Sequence, residues 1–438
     1  MMKKLLAALL SLMCLMPLAA RAELHIDVTR GVVQPMPVAI PQFFGNGAGQ
    51  ELAAQLPGVV AADLGGSGLF KVIDSQAYVQ DVASIQQSGP RFDEWRATGA
   101  QALVTGVVTD AGAGRSRVEF RLWDVFQQKQ VIGMAYTTTN DNWRRIAHII
   151  ADEIYKHMTG EEGYFDSRIV YISESGPQKL RVKRLAIMDQ DGANQRYLTD
   201  GNALVLTPRF SPTRQQITYM SYERGAPRVY LYDLASGSRQ LLGDFPGMTF
   251  APRFSPDGNR VVMSLASNGN TDIYDLDLGS RTKRRLTSDP SIDTAPSYSP
   301  DGRQITFESD RGGTQQIYVM NADGSGQKRI SFGQGRYGGP VWSPRGDLIA
   351  FTRIYGGKFY IGVIRPDGSG EREIVNAWHA EGPTWSPNGR VLAYFKELPM
   401  RGGEEQARIY TIDITGYNER QLSTPQDASD PAWSPLNK

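Results

Sequence analysis

Four histidines, His25, His148, His157 and His379, are the only imidazoles of the chain, and Cys14 is the only thiol. A zinc centre or a thiolate nucleophile would need these residue types gathered at one place. Only His379 lies in the C-terminal repeats described below, so a histidine-rich metal centre is not expected there. Carboxylates are plentiful and some pair could do acid–base work, but no spacing singles one out. No Gly-x-Ser-x-Gly elbow for a nucleophilic serine is present. "FFGNGAGQE" sets glycines between a strand and a helix, a place suited to phosphate, yet it lacks the Lys-Ser/Thr of a phosphate loop. "DQDGANQRYLTD" starts like a calcium loop, but Gly192 is misplaced and Asp200 stands where a glutamate is usual. Plain turns are the expectation for both, with no catalytic residue, metal or cofactor.

The N-terminal "MMKKLLAALLSLMCLMPLAARA" reads as a secretory signal over residues 1–22, cleaved after Ala22. Its apolar run, about fourteen residues, is short for a membrane span. Met13 before Cys14 argues against lipid attachment. With this segment go Lys3, Lys4 and Arg21, so the formal charge of +1 becomes about −2. That balance gives no electrostatic case for nucleic acid or an anionic membrane. The expectation is an exported chain without a disulfide, stabilised by core packing alone.

The elements that could position a site announce themselves by repetition. Pro208, Pro252, Pro296, Pro340, Pro383 and Pro431 each open a Pro-x-aromatic-Ser-Pro motif. Their spacings are 44, 44, 44, 43 and 48 residues. After each comes turn chemistry, an alternating strand, a loop, another strand, a tight turn and a last strand. Four short strands in forty-odd residues is the period of a β-propeller blade. The last copy, "DPAWSPLNK", stops after one strand, while the stretch from Ser167 lacks that strand. Together they make one blade, giving a six-bladed propeller closed by the C-terminal strand over 161–438. Closure removes the open sheet edges.

Residues 23–160 do not repeat. "PMPVAIPQFFG" reads as a strand, "AGQELAAQLPGVVAADLGGSG" as an amphipathic helix, and "FKVID" as a strand. "PRFDEWRATG" is helical, "AQALVTGVVTD" a strand, "SRVEFRLWDV" and "QVIGMAYTTT" a hairpin, and "NWRRIAHIIADEIYKHMTG" a helix. The result is a small α/β domain. The leading "ELHIDVTRG" is either an edge strand of that domain or a mobile arm that adds itself to a partner's sheet.

Antiparallel strands alternate in direction, so the blade loops divide between two faces. The Ser-Pro and Asp-Gly turns share one face and are small and polar. The loops entering each repeat proline share the other, and they carry Leu204, Leu206, Phe245, Met248, Phe250, Ile292, Tyr337 and Trp378. Apolar residues crowded at one mouth suggest a protein or peptide site, unless they pack into the blades.

Signal, α/β domain and six Pro-x-aromatic-Ser-Pro repeats together resemble the TolB family, the periplasmic members of the Tol–Pal system. The order of domains and the "ELHIDVTRG…PVAIPQF" start make the match more particular than the repeat alone. The resemblance implies a non-catalytic periplasmic adaptor serving outer-membrane integrity and cell division. Its mouth would bind the lipoprotein Pal, and bacteriocins that mimic Pal. The Pal-facing positions it implies are Met248, Thr249, Ala251, Asp293, Thr294 and Ala295, with Thr207, Tyr337, Glu381 and Asp430 in equivalent loop places. An N-terminal arm beginning Glu23, Leu24, His25, Ile26, Asp27 and Val28 would engage TolA of the inner membrane. A monomer is expected, because a closed ring needs no second copy. A propeller enzyme acting on oligosaccharides or peptides, and a receptor for a small exported ligand, are the alternatives.

Overall fold

A computed structural model of the chain describes residues 24–26, 34–243, 245, 248–267, 269–400 and 405–437. Residues 1–22, read above as a secretory signal, lie outside them.

The small domain is built on a mixed sheet. Strand β1 (Met36–Ala39) runs parallel to β3 (Phe70–Val72) and β4 (Ala102–Gly112), and the short β2 (Phe44–Gly45) also pairs with β4. Strands β5 (Arg115–Asp124) and β6 (Lys129–Thr139) continue the sheet as an antiparallel meander. Alternation along the strands sorts the side chains by face. Val38, Val104 and Val118 point to helices α1 (Gln50–Gly66) and α4 (Trp143–Thr159). Ala39 and Leu103 point to the other face, where α2 (Val82–Ser88) and α3 (Phe92–Ala97) supply Ile85 and Trp95. Helix α4 buries Ile146, Ile150, Ile154 and Met158, one turn apart, and stops at the left-handed Gly160 (φ 73°).

Pro57 lies inside α1. A proline has no N–H, so the carbonyl of Ala53 loses its helical donor. The N–H of Phe43 takes that place at 3.1 Å and fixes the chain ahead of the helix.

The glycines of "FFGNGAGQE" have a packing reason. A Cβ on Gly45 would lie 2.6 Å from Ala53 Cβ, and one on Gly49 would lie 2.8 Å from the carbonyl of Val108. They let the turn into α1 sit directly on β4.

The propeller is six four-stranded antiparallel sheets. The inner strands are Val205–Phe210, Met248–Phe254, Asp293–Tyr298, Arg336–Trp342, His379–Trp385 and Asp427–Trp433. In the sheet that joins the chain ends, Asp427–Trp433 lies innermost and pairs with Arg168–Ser175, Trp433 opposite Ile169. The repeat motif now has its physical account. The serine holds the first turn: Ser299 Oγ accepts from the N–H of Gln304 at 2.9 Å and donates to Asp301 at 2.6 Å. The aromatic residue seals blade to blade. Trp385 donates its indole N–H to the carbonyl of Val341 in the preceding blade at 3.0 Å.

The proline marks a β-bulge. In every inner strand the ladder register shifts across it, as between Thr294 and Ser297. The bulged position needs no ladder donor, which is where a strand tolerates proline. The residue before it is left-handed in five blades: Thr207 (φ 48°), Ala295 (51°), Gly339 (56°), Gly382 (66°) and Asp430 (49°).

The small domain docks on the propeller face that carries the Ser-Pro and Asp-Gly turns. Arg345 pairs with Glu161 at 2.9 Å, Asn388 donates to the carbonyl of Glu162 and Asn418 to that of Gly66, both at 2.8 Å. At the same junction His148 of α4 meets Asp63 of α1 at 2.6 Å, and Gln190 of the first blade donates to the same carboxylate at 2.8 Å. Burial opposes the charge on His148, but Asp63, Asp191 and Asp189 outweigh it and push its pKa up to about 9. The turn that looked like a calcium loop belongs here. Its Asp191 is hydrogen-bonded to Arg144, and its Asp189 accepts from Asn194 at 2.6 Å. Protein cations already sit where the loop resemblance would put an ion.

Candidate partner-binding mouth of the propeller

With the small domain on one face, the opposite mouth is left to the loops that enter each inner strand and those joining the two middle strands. Twelve large apolar side chains are exposed among the described residues. Seven belong to this mouth: Leu180, Leu204, Ile292, Phe332, Tyr355, Trp378 and Met400. Trp378 is 63% exposed and Phe332 70%. Such crowding on one face is the mark of a contact surface, where scattered exposed apolar residues would carry no meaning.

The sequence-predicted positions divide into three groups. Thr207, Ala295 and Asp430 hold the left-handed step before their prolines. Such a conformation costs a non-glycine residue about 1–3 kcal/mol, and the surrounding ladder must enforce it. Met248, Thr249 and Ala251 stand in the strand Met248–Phe254, and their side chains lie outside what is described.

The third group is built into the rim. Asp293 is fully buried and paired with Arg311 at 2.8 Å. Thr294 is hydrogen-bonded to Glu308, whose other oxygen accepts from the N–H of Gly339 at 2.8 Å. That carboxylate therefore ties two neighbouring inner strands together. Burial pushes its pKa up. Tyr337 differs from the expectation of an aromatic at the mouth. Its ring is fully buried, 5.2 Å from that of Phe351, and its hydroxyl donates to Glu371 at 2.5 Å. Alternation within Arg336–Trp342 turns it into the blade, so it supports the rim from within.

Glu381 is half-buried beside His379, whose Nε2 lies 3.7 Å from it, while Nδ1 is hydrogen-bonded to Glu397. Burial raises the pKa of Glu381, and His379 partly offsets this. The imidazole faces two carboxylates, with the ring of Phe359 at 4.5 Å and that of Phe395 at 5.8 Å. This is an acidic, aromatic-walled corner suited to a basic or hydrogen-bond-donating group.

Of the N-terminal arm, Leu24, His25 and Ile26 are described, and Glu23, Asp27 and Val28 lie outside the described residues. The three form no strand, so the edge-strand expectation does not hold for them. Ile26 is buried in the small-domain core, and its N–H donates to the carbonyl of Met158 at 2.7 Å. That carbonyl is in the last turn of α4, where helical donors run out. The arm is seated by capping a helix end.

Sequence reasoning missed Leu180, Phe332, Tyr355 and Met400 at the mouth, because loop length alone does not say which apolar residue stays out. It also missed the His148–Asp63 pair, since a lone histidine on an apolar helix face carries no signal of its partner.

A TolB β-propeller domain model matches residues 155–437, and a TolB amino-terminal domain model matches residues 24–131. The chain belongs to the TolB family. It is 65% identical over 422 residues to the Tol-Pal system protein TolB of Paramagnetospirillum magneticum, covering 96% of this chain and 94% of that one. The crystal structure of TolB from Acinetobacter baumannii superposes with a TM-score of 0.82 at 28% identity, covering 94% of this chain and all of that one. TolB membership thus rests on both domains and on their order. Among the described residues no helix is long and apolar enough to cross a membrane.

Proposed function

We propose that this chain is a non-catalytic adaptor of the Tol–Pal system in the periplasm, with Pal held at the propeller mouth and TolA engaged by the N-terminal arm. The observation that carries this reading is the placement of the small domain on the Ser-Pro face, which leaves the apolar mouth free. Family membership and the 65% identical Tol-Pal system relative support the system. An adaptor needs two independent contacts. The mouth offers one, and the arm, held by a few contacts at the end of α4, offers a second that can leave its seat. Coupling between them requires Pal to bind the two arm states with different affinity. Linking an outer-membrane lipoprotein to an inner-membrane protein in this way would serve envelope integrity and the drawing-in of the outer membrane at division. Bacteriocin segments that imitate Pal would use the same mouth.

The test is a titration of purified Pal into the mature protein and into Trp378→Ala and Ile292→Arg. Both side chains are exposed, so the fold should survive. Affinity should fall about tenfold or more, the usual cost of removing a central aromatic anchor or setting a charge into an apolar patch. Unchanged affinity in both variants would remove the mouth from the account.

A further inference from the structure

We propose that the axial cavity of the propeller is an oxyanion-binding site, built by Arg209 and Arg253 on neighbouring inner strands. It is distinct from the partner mouth and lies toward the Ser-Pro end of the axis.

The cavity has a volume of about 390 Å³ and is lined by the Ser-Pro pairs of four blades and by Pro212 and Pro256 of the other two, together with these two arginines. The residue after each repeat proline faces this space. Around the ring these are Arg209, Arg253, Ser297, Val341, Thr384 and Ala432. Only two are charged, both are positive, and they stand side by side.

Neither guanidinium has an acidic partner at ion-pair distance among the described residues. Arg209 donates from Nη1 to the carbonyl of its neighbour Pro208 at 2.6 Å, and its Nε is buried without a partner. Among the described residues, Asp430 is the carboxylate whose charge favours Arg209, and Arg253 feels the repulsion of Arg209. Enclosure by protein pulls both guanidinium pKa values down, that of Arg253 well below its ordinary value. An arginine does not release its proton inside a protein. Both side chains are half-buried and open onto the cavity, and a counter-ion bound there would offset the enclosure without neutralisation.

The chemistry of the guanidinium selects the class of ion. Its planar fork offers two parallel N–H groups to an oxyanion, so phosphate-like groups are preferred over a spherical halide. The hydroxyls of Ser297 and Thr384 on the same ring add donors. The space exceeds by many times the roughly 30 Å³ share of one water, so a hydrated oxyanion fits. Attraction is stronger in this enclosure than in open solvent.

The experiment uses the mature protein and inorganic phosphate, titrated at constant ionic strength with chloride as the balancing ion. Calorimetry should show saturable binding, and the melting temperature should rise with phosphate. Arg209→Gln and Arg253→Gln should each weaken binding by roughly ten- to a hundredfold, the value of a hydrogen bond to a charged group. Arg303, at the exposed end of a Ser-Pro turn and not among the cavity-lining residues, has its side chain 86% exposed, so Arg303→Gln serves as the control and should change nothing. Without phosphate, Arg253→Gln should melt no lower than the native protein, because it removes a charge that lacks a partner. Absence of saturable phosphate binding, equal binding by Arg253→Gln, or a lower melting point of that variant without phosphate would each overturn the proposal.

Discussion

Trp433 donates its indole N–H to Ser167 Oγ at 2.8 Å, joining the last strand of the chain to the residue that leads into the first propeller strand. Around this contact Ser434 and Arg168 exchange hydrogen bonds of 2.8 Å, and the ring of Tyr164 meets that of Trp433 edge-on at 5.9 Å. The linker, the first blade and the C-terminus therefore share one core. Deleting residues 431–438 should lower the melting temperature by roughly 10 °C or more, and Trp433→Ala alone should cost about 3–5 kcal/mol. Thermal and urea unfolding check both. An unchanged melting curve for the deletion would refute closure by this strand.

The junction between the domains should be pH-sensitive. His148 has its folded pKa raised to about 9 from an ordinary 6.5, facing Asp63, Asp189 and Asp191, with Arg144 beside them. A raised histidine contributes stability that is fully present below 6.5 and lost as pH rises through about 9. The loss should reach up to about 3 kcal/mol. Unfolding measured from pH 6 to 10 should show this fall, and His148→Gln should flatten it. A fall of equal size in the variant would assign the effect elsewhere.

The seat of the arm should be breakable at one residue. Ile26 is 4% exposed, and Ile26→Asp would place a charge in the core beside the end of α4. The arm should leave its seat, with the rest of the fold intact. Proteolysis within residues 23–33 should accelerate, and capture by TolA should strengthen. Pal affinity should also change, in this variant and on removal of residues 23–32. Equal Pal affinity with and without the arm would argue against coupling between the two ends.

The left-handed step before the repeat prolines should be improvable. Thr207 is β-branched at φ 48°, whereas Gly339 and Gly382 occupy the same step without a side chain. Thr207→Gly should raise stability by about 1 kcal/mol in urea unfolding, the relief of strain exceeding the added freedom of the unfolded chain. Lower stability would mean that the threonine makes a contact worth more than its strain.

The ring was legible because the repeat states its own period, and the composite blade followed from two incomplete copies at the ends of the repeat array. The small domain was legible where apolar spacing runs long, as in Trp143–Thr159, but α2 was passed over because Val82 and Ile85 alone, among small and polar residues, mark no face. The mouth was legible as a place rather than as a set of side chains. The sequence sets Tyr337 and Trp378 both in loops of that face, yet Tyr337 lies fully buried in the strand Arg336–Trp342, and Trp378, just ahead of the next inner strand, is 63% exposed. Strand alternation decides between them, and it depends on where the ladder register begins. The acidic tie from Glu308 to Gly339 crosses between blades, a relation that spacing along one chain does not contain.

Hydrogen exchange with and without Pal tests the central claim most directly, because it maps contact on the unaltered protein. The account predicts slowed exchange in segments 290–294, 332–337 and 378–382 at the mouth, and none in the Ser-Pro turns at 255–259 and 299–303. Protection confined to the Ser-Pro turns or to the small domain, with the mouth exchanging as fast as in the free protein, would contradict it.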